Sequence, residues 1–389
     1  MTDVAPGALL SRPFALLLLA TVGGFTNLHL LFAVVPKYVT AGGASTVGAG
    51  LVTGTLMATT VLTQPQVPRV TSKIGYPATL AIGLVLLGAP ALLLPLSSGL
   101  PLVLGVSLVR GLGFGTITVT GSAVTAELVP AQRHGAGMGL YGVAVGVPGI
   151  IGLPLGLWLA ENVGYTEVFL AAGLAPVAGL AATLGIRAPR PAAGARRHSV
   201  LAGLGAARLA RPFIVLCSVT AAGGIVKTFL PLAVPAGLAA LASAALFAQL
   251  TAVTMARMIA GMVGDRVGSG LLLVPGVLLA ALGMLSLVGT GSPALLLGGA
   301  AMFGFGLGIV QTVTLVLMLG RVARAGYGSV SAQWNIAFDA GTGLGATAFG
   351  VVVQQLGYQT GFAVTAGLLF AASGLALRDR WAATPSPRT

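Results

Sequence analysis

Gly261-Met262-Val263-Gly264-Asp265-Arg266-Val267-Gly268 sets an acid, a base and three glycines between two long apolar runs. Asp265 is one of seven acidic residues in a chain of 389. The pattern G-x-x-x-D-R-x-G predicts a tight polar turn. Glycine tolerates left-handed backbone and close helix approach. Asp265 is suited to accept hydrogen bonds from a helix N-terminus, and Arg266 to stay at the cytoplasmic headgroups if the flanking runs cross a membrane.

Composition says that they do. The chain is 56% hydrophobic and 7% charged, against about 25% charged for a soluble domain. So few charges cannot cover a surface facing water, which leaves lipid as the solvent for most of it. The net charge of +13 does not point to nucleic acid, because the basic residues are dispersed over short gaps between apolar runs. The single cysteine, Cys217, permits no internal disulfide. The first apolar run is too long for a signal-peptide core and is expected to be a retained helix.

A membrane helix needs roughly 20 apolar residues. Twelve runs qualify: Phe14–Val35, Thr46–Val67, Pro77–Leu96, Pro101–Ala126, Ala136–Ala160, Thr166–Ile186, Pro212–Val234, Leu238–Gly261, Leu271–Gly289, Pro293–Leu319, Tyr327–Gln354 and Thr360–Leu377. With the N-terminus inside, basic residues from Arg12 to Arg388 fall on the inner segments and the outer loops hold Lys37. That asymmetry predicts an even number of crossings with both termini cytoplasmic. A cell inner membrane is the expected location.

The halves repeat. Arg12-Pro13-Phe14 matches Arg211-Pro212-Phe213, and Pro36 matches Pro235 at the same offset. Gly111-Leu112-Gly113-Phe114-Gly115 matches Gly304-Phe305-Gly306-Leu307-Gly308. Gly164-Tyr165 matches Gly357-Tyr358, and Lys73-Ile74-Gly75 matches Arg266-Val267-Gly268. The predicted fold is an all-α membrane protein of twelve transmembrane helices in two pseudo-symmetric halves. Residues 1–187 and 212–389 form six-helix bundles, and 188–211 is an Arg-, Ala- and Pro-rich cytoplasmic linker.

Over its whole length the chain resembles the major facilitator superfamily, nearest its twelve-helix drug and metabolite efflux branch of proton antiporters. The opening stretch is similar to that family's loop signature. Its first-half counterpart, Pro68-Arg69-Val70-Thr71-Ser72-Lys73-Ile74-Gly75, has Ser72 at the acidic position. The resemblance implies gating roles for Lys73, Gly75, Gly261, Asp265, Arg266 and Gly268, with Asp265 as the surviving latch. Ser107-Leu108-Val109-Arg110-Gly111 resembles the family's R-x-x-Q-G motif, with Ser107 at the Arg position and Arg110 at the Gln position. The Gly- and Pro-rich run Gly142 to Gly156 resembles the antiporter motif and favours export.

In that family helices one, four, seven and ten line the cavity. The resemblance therefore makes Asn27, His29, Arg110, Lys227 and Gln311 candidate substrate contacts, joined by Trp334 and Asn335 on helix eleven. Ionisable groups within a membrane are costly and are functional or paired. Asp339 is the one acidic residue deep within an apolar run, with Asn335 four residues before it on the same face. Burial makes a charged carboxylate costly, which suits Asp339 to proton coupling. A structural ion pair with Lys227 is the alternative. Arg257, near the inner end of run eight, is expected to snorkel to the headgroups.

The expected function is export of a small amphiphilic molecule by alternating access, with protons and the bilayer as the other partners and a monomer as the unit. Two alternatives stand beside it. One is proton-coupled uptake of an organic anion on Arg110 and Lys227. The other is a non-transporting membrane sensor or partner protein with this fold, supported by the eroded first-half loop. Without a nucleophile–base pair, metal-ligand cluster or phosphate loop, no enzyme, metal or cofactor is expected.

Overall fold

In a bilayer no water is available to the backbone, so each crossing segment must satisfy its own N–H and C=O groups. The computed structural model obeys that rule and describes residues 11–129, 134–186, 207–322 and 327–383. No strand occurs among them. The chain divides into two compact units, one of Met1–Ala44 with Thr55–Arg196 and one of Ser45–Gly54 with Arg197–Thr389.

The first unit holds α1 (Arg12–Phe32), α2 (Val34–Ala41), the latter part of α3 (Thr46–Thr63), α4 (Val67–Ile74), α5 (Tyr76–Gly88), α6 (Leu100–Leu128), α7 (His134–Asn162) and α8 (Tyr165–Thr183). Ser11 starts α1: its Oγ accepts from the Phe14 N–H at 3.4 Å, and Pro13 occupies the first turn, where no N–H is missed. α1 and α2 together make one apolar stretch of 30 residues. A 3-10 stretch, Ala89–Leu96, completes the crossing begun by α5.

The second unit holds α9 (Ala207–Ala233), α10 (Ala239–Val267), α11 (Gly270–Ser286), α12 (Pro293–Gly320) and α13 (Tyr327–Ala383), together with residues 46–54 of α3. Those residues lie close against α13. Thr46 Oγ1 donates to Gly350 O at 3.0 Å, and a Cβ on Gly50 would strike Ala346 O. At one end of this unit Arg321 makes two hydrogen bonds to Asp379, Nη1 to Oδ1 at 2.9 Å and Nη2 to Oδ2 at 2.6 Å. It also donates to Arg208 O. One guanidinium thus ties the ends of α9, α12 and α13 beside the apolar cluster of Leu209, Met318 and Val330.

Ten described stretches are long and apolar enough to cross a bilayer, and α11 is a shorter apolar helix. Val330–Asp379, 50 residues long, is broken only at Gly357 (φ 77°, ψ 170°) and reads as two crossings. The protein is thus an all-α membrane protein, and its segments are consistent with twelve helices.

Two details correct the reading of the sequence. The gap between the last two apolar runs contains one non-helical residue, Gly357. The opening stretch is also not a turn along its length. α10 continues through Asp265, Arg266 and Val267 and ends at Gly268 (φ 89°), whose N–H bonds Gly264 O at 2.9 Å. The reason is that a backbone without water to bond keeps its own helical hydrogen bonds, so glycine within a lipid-embedded helix is not a breaker. Gly261 and Gly264 stay helical, and only the glycine at positive φ turns the chain.

Candidate functional site

Four helices of the second unit bring the candidate polar residues of that half together. Lys227 on α9 is 9% exposed, and both Asp339 and Arg257 act electrostatically on its ammonium. Its Nζ stands 5.8 Å from the centroid of the Phe338 ring. Phe338 stacks on Trp334 at 5.7 Å, and Trp334 Nε1 donates to Thr314 Oγ1 on α12 at 3.2 Å. The aromatic pair therefore fixes the wall against which the Lys227 ammonium rests. Asp339 is buried, at 5% exposure, on the same helix. Asn335 is exposed, and its amide nitrogen is spent on its own helix, donating to Ser331 O at 2.9 Å.

Arg257 on α10 is the member that reading the sequence missed. Its guanidinium turns to α12 and donates to Gln311 Oε1 from Nε at 2.7 Å and from Nη2. Gln311 is 3% exposed. The expected snorkelling to the headgroups is thereby corrected: the guanidinium is held by the amide oxygen of the buried Gln311 on the neighbouring helix. Its signal in the sequence was weak, because Arg257 lies in the last three turns of its helix, a place where snorkelling is the default.

The first unit has polar residues of its own. Arg110, 2% exposed on α6, donates from Nη2 to Asn27 Oδ1 on α1 at 3.1 Å. Asn27 is fully buried and passes the chain on, donating from Nδ2 to Ala172 O on α8 at 2.7 Å. Arg110 Nε and the Oγ of Ser107, one turn earlier, have no hydrogen-bond partner among the described residues. Nor does any described carboxylate pair with Arg110. A hydrogen bond to a charged group contributes about 1.5–3 kcal/mol, less than the several kcal/mol that desolvating a cation costs. Arg110 is therefore held at a net cost in stability.

His29 is half-buried where α7 crosses α1. A Cβ on Gly149 would stand 3.1 Å from His29 Nε2, and one on Gly152 3.2 Å from His29 Cβ. Gly156 faces Leu30 O in the same way. Gly149, Gly152 and Gly156 of the Gly- and Pro-rich run thus have a packing role: they let α7 close on α1, whereas Gly142 and Gly146 have open space where a Cβ would stand.

Of the gating candidates, Gly75 is buried at φ 84° between α4 and α5, and Lys73 beside it is exposed. Gly268 ends α10, and Gly261 is helical with open space where a Cβ would stand. The side chains of Asp265 and Arg266 lie outside the described residues, as does the linker 188–211 except for the start of α9.

Solved transporters share this architecture. The nucleoside transporter NupG is similar at 14% identity, with 95% of this chain and 99% of that one covered and a TM-score of 0.76. A bacterial homologue of the human lysosomal transporter Spinster, in an inward-facing and occupied conformation, is similar at 15% identity, with 96% and 98% covered and a TM-score of 0.77. At such identities the likeness is one of fold. No curated protein matches the sequence. The Major Facilitator Superfamily model matches residues 16–346, and the chain belongs to that family of membrane transporters.

Proposed function

We propose that this protein is a proton-coupled secondary transporter that exports a small amphiphilic molecule by alternating access. The observation that carries the reading is Asp339, a carboxylate buried at mid-helix within electrostatic reach of Lys227. In low dielectric the charges of such a pair depend strongly on each other. Protonating Asp339 removes the counter-charge of Lys227, so proton binding and the arrangement around Lys227 are coupled. Two six-helix bundles, 1–187 and 212–389, would rock about a central site, joined by the linker 188–211. The sequence resemblance supports the exporting direction, and the protein is expected to work as a monomer in a cell inner membrane.

The test is flux in proteoliposomes under an imposed pH gradient, with a mixed panel of organic acids, neutral amphiphiles and amines. Asp339→Asn is expected to abolish gradient-driven accumulation while leaving exchange at equal pH measurable. Normal gradient-driven transport by Asp339→Asn would refute the coupling role.

One observation favours the second reading, proton-coupled uptake of an organic anion. Arg110 is a buried cation with no carboxylate partner among the described residues. Inside-out and right-side-out vesicles separate the two directions.

A further inference from the structure

Arg257 is the one basic residue of the second unit's cluster whose hydrogen-bond geometry leaves a defined face over. A guanidinium has two forks, the edge formed by Nε and Nη2 and the end formed by Nη1 and Nη2. Gln311 Oε1 takes the first edge, accepting from both Nε and Nη2. No hydrogen bond to another described residue takes the second fork, two parallel N–H groups at the spacing of a carboxylate's two oxygens. Gln311 is a neutral partner, so it orients Arg257 without cancelling its charge. The residue is also exposed, unlike Gln311.

The charge count points the same way. Lys227 and Arg257 are close enough to act on each other, and Asp339 is the carboxylate that acts on Lys227. Among the described residues of the cluster, two cations face one anion. Like charges repel, and one further negative charge would balance them. Trp334 and Phe338, stacked beside Lys227, supply an apolar wall on one side of the cluster.

We infer that the second unit binds the carboxylate of a small organic acid end-on at the Nη1–Nη2 fork of Arg257, with Gln311 as the positioning residue. This rests on the transport reading above and names the substrate class for it, in either direction of transport. It assigns Arg257 a contact with substrate and keeps the proton-carrying role on Asp339.

Thermal unfolding in detergent tests the idea, with monocarboxylates from acetate and octanoate to benzoate and indole-3-acetate, each run beside its primary amide and its amine. At least one acid is expected to raise the transition temperature, with its amide and amine flat. Arg257→Gln should abolish that shift. Gln311→Leu, which keeps the guanidinium and removes its clamp, should weaken the apparent affinity about tenfold and leave an acid preference. If Arg257→Gln gives no cooperative transition of its own, Arg257→Lys replaces it. That variant keeps the charge and loses the fork, and is also expected to bind about tenfold more weakly. The inference is overturned if amides stabilise as well as acids, if acids bind the Arg257 variants with unchanged affinity, or if every acid is without effect. Asp339→Asn separates this from the coupling reading. Acid-dependent stabilisation that persists in that variant, with proton-driven flux also intact, leaves the carboxylate site standing and removes the coupling role. Proton-driven flux of amides equal to that of acids does the reverse.

Discussion

Gly113 on α6 and Gly306 on α12 occupy equivalent places in the two units. A Cβ on Gly113 would come 2.7 Å from Gly83 O, and one on Gly306 would come 2.5 Å from Gly276 O. The same 193-residue register relates Gly111 to Gly304, Gly115 to Gly308, and their contacts Leu56 to Gln249 and Thr60 to Val253. It also relates the positive-φ glycines Gly75 to Gly268 and Gly164 to Gly357. Lys73 and Arg266 keep this register at the loops, but the polar and charged groups within the apolar runs do not. Arg110 corresponds to Phe303, Arg257 to Gln64, Gln311 to Thr118 and Asp339 to Gly146. The repeat thus preserves backbone approach, which fixes the fold, and departs from itself where charges stand within the apolar runs. In a chain of two similar halves, the positions that break the repeat are the ones to examine for function.

The largest expected effect comes from breaking what the halves share. Gly113→Leu and Gly306→Leu each place a side chain where backbone atoms already stand. Overpacking commonly costs about 1–3 kcal/mol even where side chains can yield, and here a neighbouring helix backbone would have to move. Both variants should lose the monodisperse peak on detergent size-exclusion chromatography, and to the same degree. A tolerant Gly113→Leu beside an intolerant Gly306→Leu would show that the equivalence is formal only.

Next come substitutions that exchange what the halves do not share. Phe303→Arg puts a cation at a fully buried site. It should destabilise strongly, by several kcal/mol, and lower the transition temperature by many degrees. Arg110→Phe imitates the second unit and removes a cation held at a net cost. It is expected to raise the transition temperature while impairing transport, because replacing buried charge by apolar volume is often stabilising by about 1–4 kcal/mol. A fall in stability would mean that the chain of hydrogen bonds through Asn27 outweighs the desolvation of Arg110.

Arg321 and Asp379 have no counterpart either: the equivalent positions are Leu128 and Ile186. Arg321→Ala leaves the 2%-exposed Asp379 without its bidentate partner. Breaking one side of a buried pair costs about 3–5 kcal/mol. Limited proteolysis should then cut the ends of α12 and α13 faster, while the first unit keeps its wild-type pattern.

Much of this was open to reading in the sequence, for identifiable reasons. Hydropathy marks lipid-facing length, so the apolar runs and the twelve-segment pattern stand out. Glycines at fixed spacing mark close approach, so the repeat was visible in Gly111 to Gly115 and Gly304 to Gly308. Asp339 and Lys227 were conspicuous as charges in apolar runs. The rotation of each helix about its axis was not legible, because packing sets it. For that reason the Arg257–Gln311 contact, 54 residues apart, was missed, as was the donation from Asn27 to a backbone carbonyl 145 residues away. The helical continuation through Asp265 was missed for another reason. Glycine weakens helices in water, while in lipid the backbone has no other hydrogen-bond partner and stays helical, and the letters alone do not say which applies at Gly261 and Gly264.

The smallest effect is the one that tests whether the two loops are alike. Gly75 (φ 84°, ψ 165°) and Gly268 (φ 89°, ψ 121°) both adopt backbone that other residues avoid. A Cβ on Gly268 would have nothing within 4 Å of it, and the nearest atom to one on Gly75 would be Pro77 Cδ at 3.9 Å. Alanine at either place therefore meets no clash, and its cost is backbone strain alone, about 1–3 kcal/mol. Gly75→Ala and Gly268→Ala should lower the transition temperature by similar small amounts. Transport should separate them. Ser72 stands where Asp265 stands in the second loop, so if the acid carries the latch, Gly268→Ala will change the flux rate and Gly75→Ala will not. Equal changes in flux would place the latch in the backbone turn that both loops share, and remove the special role of Asp265.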